Sequence, residues 1–395
     1  TKYHTKEIQT FLNQMKDGGE ITTKTHEYLS PTECRTPEFY MLPKIHKPTR
    51  PPPGRPIISG NNSPTERISQ LVDHFLQPCI PKIKSYVRDT TQFLKMLKDL
   101  PEVPDDAILV TMDVSSLYTN IPTEEGIRAC AKILLKHRDA QEPLPTTQNI
   151  LKLMKMVLNF NNFRFNGKHY LQTGGTAMGT KCAPSFANCF MGDWEDKYVY
   201  TYNLQPLIWK RYIDDIFMIW THGEEELKKF HEHLNNCHQS IKLTMEYSKE
   251  NIAFLDTRVH LIGNAIETEL YCKETDSHNY LRYDSSHPKH VLRGIPYSQF
   301  LRIRRICSSD AFFDDHSWDI AFHFYRQGYP HDLVCAAIRK ARALNRVDLL
   351  EIKPKEISDN NPTMLVTQYN PAGSPLREIL KQNWEILARN QSTSW

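Results

Sequence analysis

Three carboxylates are the residues with which this sequence could do chemistry. Asp214 and Asp215 are adjacent inside Tyr212-Ile213-Asp214-Asp215, and Asp113 lies 101 positions before Asp214. Hard oxygen donors grouped in this way suit Mg2+, which accepts few carboxylates and takes its other ligands from water and substrate phosphates. Two such ions about 3.5–4 Å apart clamp the attacking and leaving oxygens of a phosphoryl transfer. An Asp pair alone is more often only a solvated turn. The third acid, at the end of an apolar run, favours the metal reading.

The segments flanking these acids are short and apolar. Leu207, Ile208 and Trp209 precede the pair, Ile216 to Trp220 follow it, and Ala107-Ile108-Leu109-Val110-Thr111-Met112 leads into Asp113. Runs of this length read as buried strands. The pair then sits at a hairpin tip, where a tight turn must aim two side chains that a strand would send to opposite faces. After Asp113 the pattern turns helical. Thr123 is an N-cap candidate, with Glu124 and Glu125 in the first turn and Ile127, Cys130, Ala131 and Leu134 as the apolar stripe. Further helices are expected from Thr65 to Pro78 and over 90–100 and 147–158, and another through Leu227, Phe230 and Leu234. Asn166-Gly167 between two apolar-alternating runs predicts a two-residue hairpin. Gly174, Gly175 and Gly179 supply permissive backbone before Pro184, which fits the first turn of a helix.

Basic residues cluster in two places. Residues 39–65 carry Lys44, Lys47, Arg50 and Arg55 and no acid, around a stiff Pro51-Pro52-Pro53-Gly54 loop between two strands. Arg grips phosphate oxygens in pairs and Lys acts as a point charge, so this loop suits a triphosphate. Residues 282–305 hold Arg282, Lys289, Arg293, Arg302, Arg304 and Arg305 against the single acid Asp284, and Arg339, Lys340, Arg342 and Arg346 follow. Helices are expected over 298–306 and 333–344, and a basic helical domain of this kind suits a sugar–phosphate backbone.

At 395 residues, with 39% hydrophobic and 24% charged residues, the chain can bury a large core and hold two or three domain-sized units. Its net charge of +3 excludes a strongly polybasic or polyacidic protein and leaves the distribution of charge to matter. Nine cysteines, an odd count without a CxxC, imply reduced thiols in an intracellular protein, for which a nuclear setting is the expectation. No apolar run approaches the roughly 20 residues that span a membrane. The chain opens on Thr1, which reads as part of a longer product. Cys272, His278, His287, His290 and Cys307 have spacings that match no common zinc finger.

The ordered motifs carry a family resemblance. Asp113-Val114-Ser115-Ser116-Leu117-Tyr118-Thr119 resembles polymerase motif A of reverse transcriptases. Residues 174–185 resemble motif B, Tyr212-Ile213-Asp214-Asp215 motif C, and Ala253-Phe254-Leu255-Asp256 the primer grip. The stretch Phe39-Tyr40-Met41-Leu42-Pro43-Lys44-Ile45-His46-Lys47-Pro48, then Arg55-Pro56-Ile57-Ile58-Ser59 and Ser285-Ser286-His287-Pro288, resembles the Penelope-like retroelement branch, which is related to telomerase reverse transcriptase. The resemblance covers about residues 36–345.

It implies an α+β right-hand polymerase fold, with an antiparallel-sheet palm, mixed fingers and a helical thumb. The divisions are an N-terminal helix and linker (1–35), fingers (36–105), palm (106–260, with a finger insertion near 140–173), thumb (261–350) and a C-terminal tail (351–395). The implied activity is RNA-directed DNA synthesis. Asp113, Asp214, Asp215 and the carbonyl of Val114 would hold two Mg2+ ions, or Mn2+. Arg55, Lys44 or Lys47, Tyr118, Gly179 and Lys249 would contact the incoming dNTP, with Tyr118 under the sugar and Lys249 protonating the pyrophosphate. Phe254, Leu255, Arg302, Arg304 and Arg305 would hold the primer, the RNA template and their RNA–DNA hybrid. The alternatives are an RNA-dependent RNA polymerase, against which the bulky Tyr118 argues, and a domesticated nucleic-acid-binding protein without catalysis, against which the intact carboxylates argue. A telomerase would carry a dedicated RNA-binding domain ahead of these motifs.

Overall fold

The computed structural model describes residues 1–45, 50–141, 144–351 and 374–387. The chain forms two compact units. The first comprises 1–93, 100–255 and 260–265, the second 94–99, 256–259 and the chain from 266 onward.

The first unit begins with helices α1 (Lys2–Asp17) and α2 (Thr23–Leu29), and α1 buries the stripe Ile8, Phe11, Leu12 and Met15. Strands β1 (Phe39–Pro43) and β2 (Gly54–Ile58) pair antiparallel, with Leu42 opposite Arg55. Helices α3 (Glu66–Leu76) and α4 (Thr90–Lys98) follow, and then strand β3 (Ile108–Val114). After a short turn of helix, α5 (Leu117–Asn120), come α6 (Thr123–His137) and α7 (Thr147–Asn159). Pro122, rather than Thr123, occupies the N-cap of α6; Thr123 is already helical. Asn166 and Gly167 turn β4 (Asn162–Phe165) into β5 (Lys168–Leu171).

Helix α8 (Ala183–Tyr198) starts with Pro184 in its first turn. The hairpin β6 (Ile208–Tyr212) and β7 (Asp215–Trp220) comes next, then α9 (Gly223–Asn236), β8 (Leu243–Ser248) and β9 (Asn251–Phe254). The central sheet has the order β6-β7-β3-β8, with every neighbouring pair antiparallel.

Strands β3 and β7 are buried on both faces, which is why they read as continuous apolar runs rather than alternating ones. On one face Val110, Met112, Ile216, Met218 and Trp220 join the helical core with Phe186, Met191, Trp194 and Phe230. On the other, Phe217 packs edge-on to Phe93 and lies near Phe254. Helices α6 and α8 pack on one another, and α7 packs on α3 and α6.

The second unit begins as the chain runs through β10 (Thr257–Ile262) and β11 (Ala265–Leu270). Helices α10 (Lys289–Ile306), α11 (Asp310–Arg326), α12 (His331–Arg342) and α13 (Arg346–Leu350) follow, with α14 (Ser374–Gln382) and α15 (Trp384–Leu387) after them. Helix α10 starts nine residues before the expected 298 and carries Pro296 inside it. The sequence pattern stops short because Gly294 and Pro296 look like a boundary, whereas Leu292, Pro296, Phe300 and Ile303 form one buried stripe. Phe300 and Ile303 of that stripe share a core with Phe313, Ile320 and Phe324 of α11 and Val334 and Ile338 of α12. Helix α11 was not announced by the pattern. The four residues 327–330, including Gly328, join α11 to α12 in the manner of a helix-turn-helix. Among the described residues no helix is long and apolar enough to cross a membrane.

Candidate active site

The register of the central sheet brings the carboxylates together. Asp113 on β3 stands directly opposite Asp215 on β7, and side chains of such a pair share one face with Cβ atoms about 4.5–5.5 Å apart. Tyr212 pairs with Asp215 across the hairpin, so Ile213 and Asp214 form a two-residue turn. The backbone N–H of Val114 donates to the carbonyl of Asp214 at 3.0 Å and ties the hairpin tip to the end of β3. Asp113 and Asp215 are exposed and Asp214 is half-buried.

Ile213 adopts φ +57°, a left-handed conformation that costs a non-glycine residue about 1–2 kcal/mol. Arg211 holds it there. This arginine is fully buried and pairs with the equally buried Glu195 of α8 at 2.7 Å. Its Nη1 donates to the carbonyl of Ile213 and to Asn188 Oδ1, both at 2.9 Å. Glu195 also accepts from Trp209 Nε1 at 2.9 Å and from Ser85 Oγ. The backbone of Arg211 is pinned in addition, its N–H to the Ser85 carbonyl and its carbonyl to the Val87 N–H. This support was missed in the sequence. Its one legible signal is Glu195 itself, a charge one turn after Met191 on the helix face that also buries Phe186, Ala187 and Trp194.

Burial pushes the Asp214 carboxyl above the usual carboxylate range, opposed by its own backbone hydrogen bond and by the charges of Arg55, Arg211 and Lys44. Arg55 and Lys44, on the β1–β2 hairpin, are therefore close enough to act on the acid. Lys47 lies outside the described residues. Tyr118, in α5 just past Asp113, is pushed up to about 12 by burial, by Asp214 and by Tyr212; it is a neutral phenol beside the acids.

The glycines before α8 serve backbone approach. Gly175 has φ +65°, and a Cβ there would lie 2.4 Å from the Tyr118 carbonyl; Gly179 has φ +127°, and a Cβ would lie 2.4 Å from the Ile58 carbonyl. The N–H of Thr176 donates to the Tyr118 carbonyl at 2.7 Å, and that of Ile58 to the Met178 carbonyl at 3.1 Å. This loop thus braces both the turn that carries Tyr118 and the strand that carries Arg55.

A family model described as reverse transcriptase (RNA-dependent DNA polymerase) matches residues 45–283, more than half of the chain. The chain belongs to the reverse transcriptase family. A model described as animal helix-turn-helix domain matches residues 279–339, where α11 and α12 have that shape. No curated protein matches the chain in sequence. Among solved structures, telomerase from Candida albicans in complex with a TWJ fragment of telomeric RNA is similar, with a TM-score of 0.55 and 10% identity over 81% of this chain and 56% of that one. The RNA-dependent RNA polymerase of a human picorbirnavirus is similar with a TM-score of 0.51 and 11% identity, over 78% of this chain and 61% of that one. At these identities the likeness is one of fold: α+β, a right-hand polymerase, spanning just over half the length of either structure.

Several other expected site residues are placed elsewhere. Lys249 follows Ser248, which pairs with Leu109 at the opposite end of β3 from Asp113, about 13 Å of strand away, and it acts on Glu224 instead. At the carboxylate end of β8 stands Lys242, whose carbonyl accepts from Ser115 N–H. Phe254 is buried, its ring 4.7 Å from that of Phe93, so it is core and offers a primer no side chain. Leu255 is half-buried at φ +56°.

The three helical arginines are spent within their own unit. Arg302 donates twice to Asp256 Oδ2, at 3.0 and 2.7 Å. Arg304 bonds Asp310 at 2.6 Å and the Leu344 carbonyl at 2.9 Å. Arg305 donates to the Leu349 carbonyl at 3.3 Å. They are struts, and composition could not reveal it because every partner except Asp310 lies about 40 residues or more away. Among the exposed cations of this unit are Lys289 and Arg293 on α10 and Arg339 on α12.

Proposed function

We propose that the chain is an RNA-directed DNA polymerase of the Penelope-like branch, acting on an RNA template with a DNA primer and dNTPs. The observation that carries the reading is Asp113 standing opposite Asp215 with Asp214 in the turn beside them. The donor set is all oxygen, and its one half-buried acid is destabilised as an anion, so these residues fit hard divalent cations. Asp113, Asp214, Asp215 and the Val114 carbonyl would hold Mg2+ or Mn2+, which supplies charge neutralisation and an activated 3′-hydroxyl in phosphoryl transfer. Arg55 and Lys44 bind the triphosphate. Arg211 keeps the hairpin tip in register. Lys289, Arg293 and Arg339 take the place of the three struts as the cations for the hybrid backbone.

The preference for deoxynucleotides is assigned to Tyr118. Its ring beside Asp214 leaves no room for a 2′-hydroxyl on a sugar whose phosphates are bound at the acids. Overpacking of that kind costs about 1–3 kcal/mol, roughly 10- to 200-fold in discrimination. The test is primer extension on poly(rA)/oligo(dT) with Mg2+, followed by catalytic efficiencies for dGTP and GTP opposite one template base. Tyr118→Ala should raise GTP use selectively. A dGTP/GTP ratio that does not move with the substitution would return Tyr118 to the core and favour an RNA polymerase.

A further inference from the structure

The connection from β11 to α10, residues 271–288, has no helix or strand, and irregular segments longer than about 12–15 residues are uncommon inside compact units unless something holds them. In its first part three different donor side chains converge. Cys272 Sγ, a carboxylate oxygen of Asp276 and a ring nitrogen of His278 all lie within 4.8 Å of one another. Two turns bring them there. The N–H of Asp276 donates to the Lys273 carbonyl at 2.8 Å, and the N–H of His278 donates to Asp276 Oδ1 at 2.9 Å. His278 takes φ +46° to do so. From α11, His323 sets its ring 4.4 Å from the His278 ring, centroid to centroid. Cys272, His278 and His323 are half-buried and Asp276 is exposed, so the cluster is enclosed yet reachable.

We propose that Cys272, Asp276, His278 and His323 form a structural zinc site that clips this connection to α11. One thiolate, two imidazoles and one carboxylate are four donors that zinc accepts in tetrahedral geometry, with donors about 3.3–3.7 Å apart given Zn–S and Zn–N lengths of about 2.3 and 2.0 Å. The thiolate separates this site from the all-oxygen set at Asp113, since Mg2+ avoids sulfur while zinc prefers it. Asp276 and Asp319, the latter one turn before His323, bring negative charge to the His323 ring against the positive charge of Arg326. Of the other histidines and cysteines nearby in sequence, His287 is hydrogen-bonded to Ser285, His290 is exposed on α10 and Cys307 is fully buried. The site draws on Asp276 and His323 instead, a combination that spacing could not reveal.

The test uses the whole chain, reduced, with excess Mg2+ present to compete at oxygen-only sites. Zinc content after dialysis is measured, and zinc is then replaced by Co2+. The expected result is one retained zinc, a sulfur-to-cobalt charge-transfer band and the d–d bands of a tetrahedral ion. Cys272→Ser should abolish the charge-transfer band, and His323→Gln should weaken zinc at least tenfold. Absence of retained zinc in folded wild type would overturn the proposal, as would a Co2+ spectrum unchanged in Cys272→Ser. Should Cys272→Ser not fold, His323→Gln decides, because it exchanges one half-buried side chain on a stable helix; unchanged zinc affinity there also overturns the site.

Discussion

At the carboxylate end of the central sheet, Asp113 and Asp215 face each other across two strands and remain exposed. In the helical unit, Arg302, Arg304 and Arg305 are half-buried, and each is bonded to a group of its own unit. Both sets are charged residues in a dense local pattern, and their fates differ for a physical reason. The acids are delivered by backbone register, since a strand end and a two-residue turn leave little choice of where the side chains go. The arginines ride on a helix whose surroundings come from distant parts of the chain, and long side chains find carbonyls and carboxylates there. Register therefore predicts exposed function better than local charge density does.

The largest effect expected from this contrast is at the acids. Asp113→Asn or Asp214→Asn should lower primer extension by at least about 100-fold, about 2.7 kcal/mol of barrier, because an amide cannot balance cation charge. Asp214→Asn should also raise the melting temperature of the protein in EDTA at neutral pH. The sign follows from burial. A carboxyl whose folded pKa is raised binds its proton more tightly when folded, so stability falls as pH climbs from the unfolded value through the folded one. The amide never ionises and escapes that loss. A variant that kept a tenth of the activity, or that melted lower than wild type in EDTA, would break the reading of this turn.

Next comes the support under the turn. Arg211→Met strips a buried partner from Glu195 and should cost about 3–5 kcal/mol of stability. The double variant Arg211→Met/Glu195→Met should recover part of it, since apolar replacements of a buried pair are often neutral, while Trp209 Nε1, Ser85 Oγ and Asn188 Oδ1 lose their partners. Its extension rate should stay down at least tenfold, about 1.4 kcal/mol, because the donor to the Ile213 carbonyl is still absent. Chemical denaturation and extension kinetics on the same three proteins separate the two effects. Full activity in the double variant would reduce Arg211 to a packing residue.

Particular residues show how far the sequence could be read. The strands around Asp113 and Asp215 were legible because burial on both faces leaves continuous apolar runs. The start of α8 at Pro184 followed from short-range chemistry. Lys249 was misplaced because β8 runs antiparallel to β3, so a lysine seven residues beyond Lys242 lands at the wrong end of the sheet. Phe254 was assigned to a primer because an aromatic in a motif reads as functional, whereas Phe93 and Phe217, far off in sequence, claim it for the core. Glu195 and Arg211 stand on separate elements, and nothing local pairs them. What was lost in each case is a tertiary partner.

The smallest effect sharpens the comparison most. Arg302 and Asp256 are 39% and 29% exposed, so the pair is screened and Arg302→Ala should cost only about 1 kcal/mol. If Arg302 is a strut, that loss appears in unfolding and not in the electrostatics of binding to an RNA–DNA hybrid. The slope of log affinity against log salt counts the cations that displace counterions from phosphates, about 0.9 per contact. Arg302→Ala should leave the slope unchanged. Arg293→Ala, on the exposed face of the same helix, should lower it by about 1 while leaving unfolding untouched. The two substitutions remove the same charge nine residues apart on α10, so any difference between them belongs to their partners. A slope that falls with Arg302→Ala would mean that the hybrid pulls this arginine away from Asp256, and the helical unit would then use local charge as the sheet uses register.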